Sequence, residues 1–90
     1  MKHRELEQKL SALREEMKRA EVTNPEARNI LSSLEQRIDF LLDNVHESSG
    51  EHYRDILAHI NDALLHVRAS HPSLAQGFEN VIDTANRLGI

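Results

Sequence analysis

The stretch that decides the fold runs from residue 27 to residue 45 and reads ARNILSSLEQRIDFLLDNV. Six of its apolar residues recur at alternating intervals of four and three positions. They are Ala27, Leu31, Leu34, Ile38, Leu41 and Val45. This spacing follows the turn of an α-helix, so it places the apolar side chains on one face. The stretch is therefore predicted to be an amphipathic helix that buries this face.

The same spacing recurs on both sides of this stretch. The first segment has Leu6, Leu10, Leu13, Met17 and Ala20; a later one has Tyr53, Ile56, Ile60, Ala63 and Val67; the last has Leu74, Phe78, Val81, Ala85 and Leu88. No stretch shows the sustained period of two that is typical of half-buried strands. We therefore predict an all-α fold in a single domain, 1–90, with helices near 3–21, 25–46, 51–68 and 72–88.

The residues between these segments favour helix ends. Pro25 and Pro72 each stand at the start of a predicted helix, where the missing N–H of proline costs no hydrogen bond. Ser48 and Glu51 have the spacing of a capping box, and Gly89 stands where a glycine commonly ends a helix. Because the connections are short, neighbouring helices are expected to run antiparallel, as helical hairpins or an up-down bundle.

Composition excludes several classes of function. The chain contains no cysteine, which rules out disulfides, thiolate metal sites and cysteine nucleophiles. Its apolar runs do not exceed three residues, so no membrane-spanning segment is predicted. The charged start of the chain does not resemble the apolar core of a signal peptide. We therefore expect a cytoplasmic protein with no membrane partner.

Charge is divided unevenly along the chain. Residues 1–20 hold six basic and four acidic side chains, a net charge of +2, whereas residues 21–90 hold five basic and eleven acidic ones, a net charge of −6. An excess of two basic groups is too small for an arm that binds nucleic acid. We therefore do not expect a nucleic-acid partner.

Two of the predicted helices carry apolar residues beside their main apolar row. These residues are Ile30 and Leu42 in the second helix, and Leu57 and Leu64 in the third. A wider apolar face needs more cover than one antiparallel neighbour provides, and a helical chain of 90 residues has a small core. We therefore expect a homodimer, with Leu42, Leu57 and Leu64 as the candidate interaction surface.

Histidines form the most unusual pattern in the chain. Of the six, His52, His59 and His66 recur at intervals of seven, and Asp55 and Asp62 each precede one of them by four positions. Side chains four apart share a helix face, so each pair could contribute to a metal site or respond to pH. Histidines seven apart are separated by about 10.5 Å along the axis, so a shared ion needs ligands from another helix. The alternative interpretation is a solvated row of ion pairs.

Other groupings of polar residues are weaker candidates for chemistry. Asp43 and His46 have a spacing found in the iron sites of helical bundles, but the apolar rows provide no inward glutamates. Ser70, His71 and Ser73 are neighbours without an orienting acid. The chain also lacks a glycine-rich phosphate loop. We predict no enzyme activity, no metal site and no cofactor.

Two parts of the chain carry a resemblance to a known family. The first is Asn24-Pro25-Glu26-Ala27-Arg28, which follows a helix with a leucine heptad. The second runs from Ser70-His71-Pro72-Ser73-Leu74-Ala75 through Val81-Ile82-Asp83 to Leu88-Gly89-Ile90. Together they resemble the small bacterial proteins of the domain-of-unknown-function family numbered 4404, over nearly the whole chain. The resemblance implies a short, helical, cytoplasmic bacterial protein, and it implies no established activity or catalytic residue.

Two functional hypotheses of different classes remain. The first is a non-enzymatic protein–protein interaction or regulatory module, a homodimer that applies an amphipathic surface to a protein partner not identified by the sequence. The second is a metal- or pH-responsive helical module. Its candidate residues are His59, His66, Asp55 and Asp62 in the third helix.

Overall fold

Four helices make up the part of the chain that the computed structural model describes, which is residues 4–45 and 50–90. They are α1 (Arg4–Arg19), α2 (Pro25–Asp43), α3 (Gly50–Val67) and α4 (Pro72–Leu88). No strand occurs among the described residues, and the helices pack as a bundle. The all-α expectation is therefore confirmed. The expected bounds of α4 are reproduced, whereas the ends of the other helices differ from expectation by up to three residues.

The end of α2 accounts for the largest of these differences. The sequence pattern carries this helix beyond Asp43, but Asn44 leaves the helical conformation, with φ −127° and ψ 38°. Its backbone N–H donates to the carbonyl of Leu41, and its side-chain amide donates to the carbonyl of Phe40 at 2.8 Å. An asparagine that satisfies the last carbonyls competes with a further helical turn. The expected capping box at Ser48 lies outside the described residues.

Proline and glycine mark three further helix ends as expected. Pro25 and Pro72 begin α2 and α4. Ahead of α2, the side-chain oxygen of Asn24 accepts a hydrogen bond from the N–H of Ala27 at 3.0 Å, which satisfies one of the donors at the start of the helix. After α4, Gly89 has a φ of 81°, and its N–H donates to carbonyls of the last turn.

The helices surround the core in the cyclic order α1, α2, α3, α4. Each helix packs against the next, and α4 packs against α1 to close the ring. Glu5 near the start of α1 pairs with Arg87 near the end of α4, so these two helices are antiparallel. The hydrogen bond from Arg87 is the main reason that the pKa of Glu5 lies below its ordinary value of 4.5. The arrangement is the up-down bundle that the short connections predicted.

The core consists of the apolar rows marked by the heptad spacing. The largest of its fully buried side chains are Tyr53, Phe78, Leu6, Leu10, Leu13, Leu34, Ile38, Ile60, Val67 and Val81. The hydroxyl of Tyr53 donates to Oε2 of Glu7 on α1, 3.0 Å away. Burial and this neighbouring carboxylate raise the pKa of Tyr53 to about 12. Tyr53 thus ties α3 to α1 across the core.

Helices α1 and α4 pack closely against each other at Gly77. We call the contact between these two helices the α1–α4 seam. A Cβ atom at this position would lie 3.1 Å from Oε1 of Glu16 and 3.3 Å from Cδ1 of Leu13. Both distances are shorter than ordinary van der Waals contact. The missing side chain at Gly77 therefore lets the two helices approach each other.

Candidate functional site

An open surface lies between α2 and α3 and consists of two adjoining hollows, which we together call the α2–α3 groove. The first, the Phe40 hollow, has a volume of about 370 Å³, and the second, the Ile30 hollow, has one of about 300 Å³. The Phe40 hollow includes Phe40, Leu41 and Arg37 of α2 and His52, Asp55 and Ile56 of α3. The Ile30 hollow is lined by Asn29, Ile30, His59, Asp62 and His66. Ser33 lines both, so the groove is continuous.

Regular helical rows line both sides of the groove. The row on α2 is Ile30, Ser33, Arg37 and Phe40, and the row on α3 is His52, Asp55, His59, Asp62 and His66. Members of each row recur at intervals of three and four, so each row follows one face of its helix. The structure therefore brings the whole histidine–aspartate pattern to one groove.

Phe40 provides the main apolar feature of the groove. Its side chain is 64% exposed, whereas Leu41 and Ile56 beside it are buried in the core. Among the described residues, Phe40 and Leu65 are the exposed large hydrophobic residues, and Leu65 does not line the groove. A phenyl ring held above an apolar floor has area to lose to water on binding, which is typical of a contact residue.

Asp55 organises the polar part of the groove. One of its carboxylate oxygens accepts a hydrogen bond from Nη1 of Arg37 at 3.2 Å, which joins α2 to α3. Nδ1 of His59 lies 2.8 Å from the backbone carbonyl of Asp55 and 3.7 Å from its carboxylate. Because a carbonyl only accepts, Nδ1 of His59 carries a proton in this contact. Nε2 of His59 then remains as the nitrogen able to bind a further group.

The groove does not form a metal centre from this chain alone. Within residues 4–45 and 50–90, no three histidine, aspartate or glutamate side chains come close enough to hold an ion. Asp55 and His59 are brought together, and Asp62 and His66 line the Ile30 hollow beside His59. The Asp55–His59 pair is therefore a polar contact along the helix.

The structure places Leu42, Leu57 and Leu64, the expected interaction surface, in or beside the core. Leu64 is 5% exposed and belongs to the core, while Leu42 and Leu57 are half-buried and pack against it. Leu57 lines a hollow between α3 and α4 rather than the α2–α3 groove. These leucines flank the core rows closely enough for neighbouring helices to cover them, so they do not form one exposed patch. The sequence argument missed Phe40, although its spacing from Arg37 and Ser33 marks the same row.

The remaining sequence candidates lie away from the groove. The backbone carbonyl of His71 accepts from the N–H of Ala75 at 2.9 Å, and its side chain makes no capping hydrogen bond to α4. Ser70 and Ser73 lie with His71 around a hollow between the end of α1 and the start of α4. Asp43 is exposed at the end of α2, and His46 is outside the described residues.

Comparison with known families matches the chain, at residues 6–90, to the domain of unknown function DUF4404. The chain belongs to this family. The match includes nearly all of α1 and the whole of α2, α3 and α4, so the α2–α3 groove lies within the DUF4404 region. No curated protein and no solved structure matches the chain. No helix among the described residues of this DUF4404 chain is both long and apolar enough to span a membrane.

Proposed function

We propose that this DUF4404 chain is a non-enzymatic protein–protein interaction module of the bacterial cytoplasm, and that its α2–α3 groove receives an amphipathic helix. The observation that carries the proposal is the exposure of Phe40 above the buried Leu41 and Ile56. Keeping a phenyl ring in water forgoes the stabilisation that burial of a side chain of this size supplies, about 1.5–3 kcal/mol. A docked helix would recover that free energy.

The shape of the groove supports a helical partner. It runs between two antiparallel helices, and a helix presents apolar side chains at intervals of three and four that fit such a channel. Its margin carries Arg37, Asp55 and the histidine row, which give a docked helix polar contacts at the edge of an apolar centre. This combination of an apolar anchor and a polar margin is typical of an interface.

A crosslinking experiment in cells tests the proposal. Phe40 is replaced with the photo-crosslinking amino acid p-benzoylphenylalanine, and the matched control carries the same replacement at Ala12, which is exposed on α1. We expect irradiation to join position 40 to the apolar face of a helix, identified by sequencing the crosslinked peptide. Equal crosslinking at both positions, or none at position 40, would overturn the proposal.

A response to pH is the second candidate function, and the placement of the histidines favours it. His52, His59 and His66 all line the groove, so protonation adds positive charge to the proposed docking surface. The double variant His59→Gln, His66→Gln tests this function. We expect the wild-type melting temperature to shift between pH 7.5 and pH 5.5 or on addition of zinc, and the double variant to lose that shift. A shift of equal size in the variant would rule the histidine row out.

A further inference from the structure

We infer that the amphipathic partner of the groove is the α2–α3 face of a second copy of this chain, and that the two copies pair through these faces about a two-fold axis. This inference rests on the proposed function and names its partner. In the pairing, α2 lies antiparallel to α2 and α3 antiparallel to α3. Three features of the groove support it: the positions of the two hollows, the order of charges along α3, and the size of the face.

The two hollows lie at opposite ends of the groove, which suits a two-fold axis between them. Phe40 is at one end, and the hollow around Ile30 is at the other. Phe40 is ten positions after Ile30, which corresponds to about 15 Å of helix. A two-fold axis that crosses α2 at the level of residue 35 places each Phe40 over the Ile30 hollow of the opposite copy. An interface of this kind uses the same patch on both subunits, as a closed dimer requires.

The charge order along α3 is complementary to itself when reversed. The first four members of the row are His52, Asp55, His59 and Asp62, with spacings of three, four and three, and His66 continues it. The centre of these four is at residue 57. Antiparallel pairing about that centre places each His52 opposite an Asp62 and each Asp55 opposite a His59, so both imidazoles of this set face a carboxylate. Parallel pairing would place like groups opposite each other, which is unfavourable.

The two centres lie at the same level along the helix pair although they come from different helices. The hollows on α2 are centred at residue 35, and the charge row on α3 is centred at residue 57. Arg37 lies two residues beyond the first centre, and Asp55 lies two residues before the second. Arg37 and Asp55 are hydrogen-bonded to each other at 3.2 Å. Because α2 and α3 are antiparallel, one axis passes through both centres.

The area of the face and the groups along it are compatible with a dimer of low affinity. Two adjacent helices of about 27 Å by 10 Å each give a face of roughly 500 Å² per copy, or about 1,000 Å² in the pair. This is close to the smallest area of specific interfaces. The same axis places Arg37 opposite the uncharged Ser33, so no like charges of α2 oppose one another. We therefore expect a dimer that dissociates on dilution.

Sedimentation of the full chain between about 5 and 500 μM tests the inference. We expect reversible dimerisation of the wild type, and at least a tenfold rise in the dissociation constant for Phe40→Glu. The matched control is Leu65→Glu, which places the same charge on an exposed apolar site outside the groove and should leave the dimer intact. Far-UV circular dichroism verifies that both variants keep their helices. A wild type that is monomeric at 500 μM, or a Phe40→Glu variant that dimerises normally, would overturn the inference.

The axis itself is tested by thiol crosslinking, because the chain has no cysteine of its own. Gln36 is exposed, lines the groove and lies one residue from the proposed centre on α2. Under oxidation, Gln36→Cys should form a disulfide-linked dimer, whereas Leu65→Cys should remain monomeric. Equal yields from the two variants would contradict the register.

A charge exchange examines the order of the α3 row. Asp62→His alone places imidazole opposite imidazole and should weaken the dimer, and adding His52→Asp should restore it. A double variant as weak as the single one would contradict antiparallel pairing. If the wild type is monomeric but the photo-crosslinker at position 40 joins a different polypeptide, this inference fails and the proposed function stands. If no crosslink forms at position 40, the proposed function fails as well.

Discussion

The α1–α4 seam and the α2–α3 groove both lie between antiparallel helices with buried apolar rows, yet their outer edges differ. At the seam, an added Cβ on Gly77 would lie 3.1 Å from the carboxylate of Glu16, so the two helices are in contact. At the groove, Ser33 lines two open hollows and Phe40 is exposed. The residues beside the buried rows, more than the rows themselves, therefore decide whether a helix pair closes or leaves a surface for a partner.

The largest expected effect compares a core leucine of the seam with the aromatic residue of the groove. Leu13→Ala removes a side chain that is 1% exposed, and we expect the free energy of unfolding to fall by about 2–5 kcal/mol because a cavity remains. Phe40→Ala should change it by less than about 0.5 kcal/mol at concentrations where the chain is monomeric. Urea denaturation at low protein concentration measures both. Similar losses would mean that Phe40 already supports the monomer.

A second pair of variants adds the same side chain to the seam and to the groove. Gly77→Val forces two methyl groups against Glu16 and Leu13, and we expect a loss of about 1–3 kcal/mol. Ser33→Val places the same groups in an open hollow and should change stability by less than about 0.5 kcal/mol. Thermal unfolding of the two variants compares them directly. A Gly77→Val variant as stable as the wild type would show that the seam can open without cost.

The third prediction concerns high pH and the hydrogen bond between Tyr53 of α3 and Glu7 of α1. The pKa of Tyr53 is about 12 in the folded chain and near 10.0 when unperturbed. The stabilisation that protonated Tyr53 gives the folded chain is therefore complete below pH 10. It is lost as the pH rises toward 12, because the hydroxyl of Tyr53 loses its proton at a lower pH in the unfolded chain. We expect wild type to lose about 1–2 kcal/mol more than Tyr53→Phe over this range. Parallel pH profiles for the two proteins would contradict the raised pKa that burial and the Glu7 contact give Tyr53.

The smallest expected effect concerns the ion pair that crosses the groove. Arg37 and Asp55 are 45% and 53% exposed, so water screens their attraction. A double-mutant cycle with Arg37→Ala and Asp55→Ala should give a coupling free energy of about 0.2–1 kcal/mol that declines with salt. A larger coupling free energy that does not change with salt would indicate that the Arg37–Asp55 pair is shielded from water and holds α2 and α3 together.

The buried rows could be predicted from sequence because periodicity alone places them. Leu31, Leu34 and Ile38 fall on one side of α2 whatever the neighbouring helices do, and they are buried. The burial of residues beside a row depends on which helix lies next to them and on how close that helix is. Leu64, next to the small Ala63, is covered, whereas Phe40, next to Leu41, is exposed. Distances between helices decide that difference, and a hydrophobic pattern does not contain them.

The candidate site was predictable to a similar extent. The sequence predicts that His59 and Asp55 share a face, since they are four residues apart on one helix. It does not predict that Arg37 and Phe40 of α2 lie across from them, because that pairing depends on the register of two helices. The end of α2 at Asp43 likewise depends on local hydrogen bonds of Asn44 that compete with the apolar pattern.

The closure of the ring by α4 also has a consequence for synthesis. Glu5 and Arg87, which join the first helix to the last, are 82 positions apart in the chain. Because a chain is synthesised from its N-terminus, α1 leaves the ribosome before α4 has been made. During that interval Leu6, Leu10 and Leu13 of α1 lack the cover that α4 provides. Among these four helices, α1 is therefore made first and enclosed last, and its apolar row is the part of the nascent bundle that a chaperone would meet.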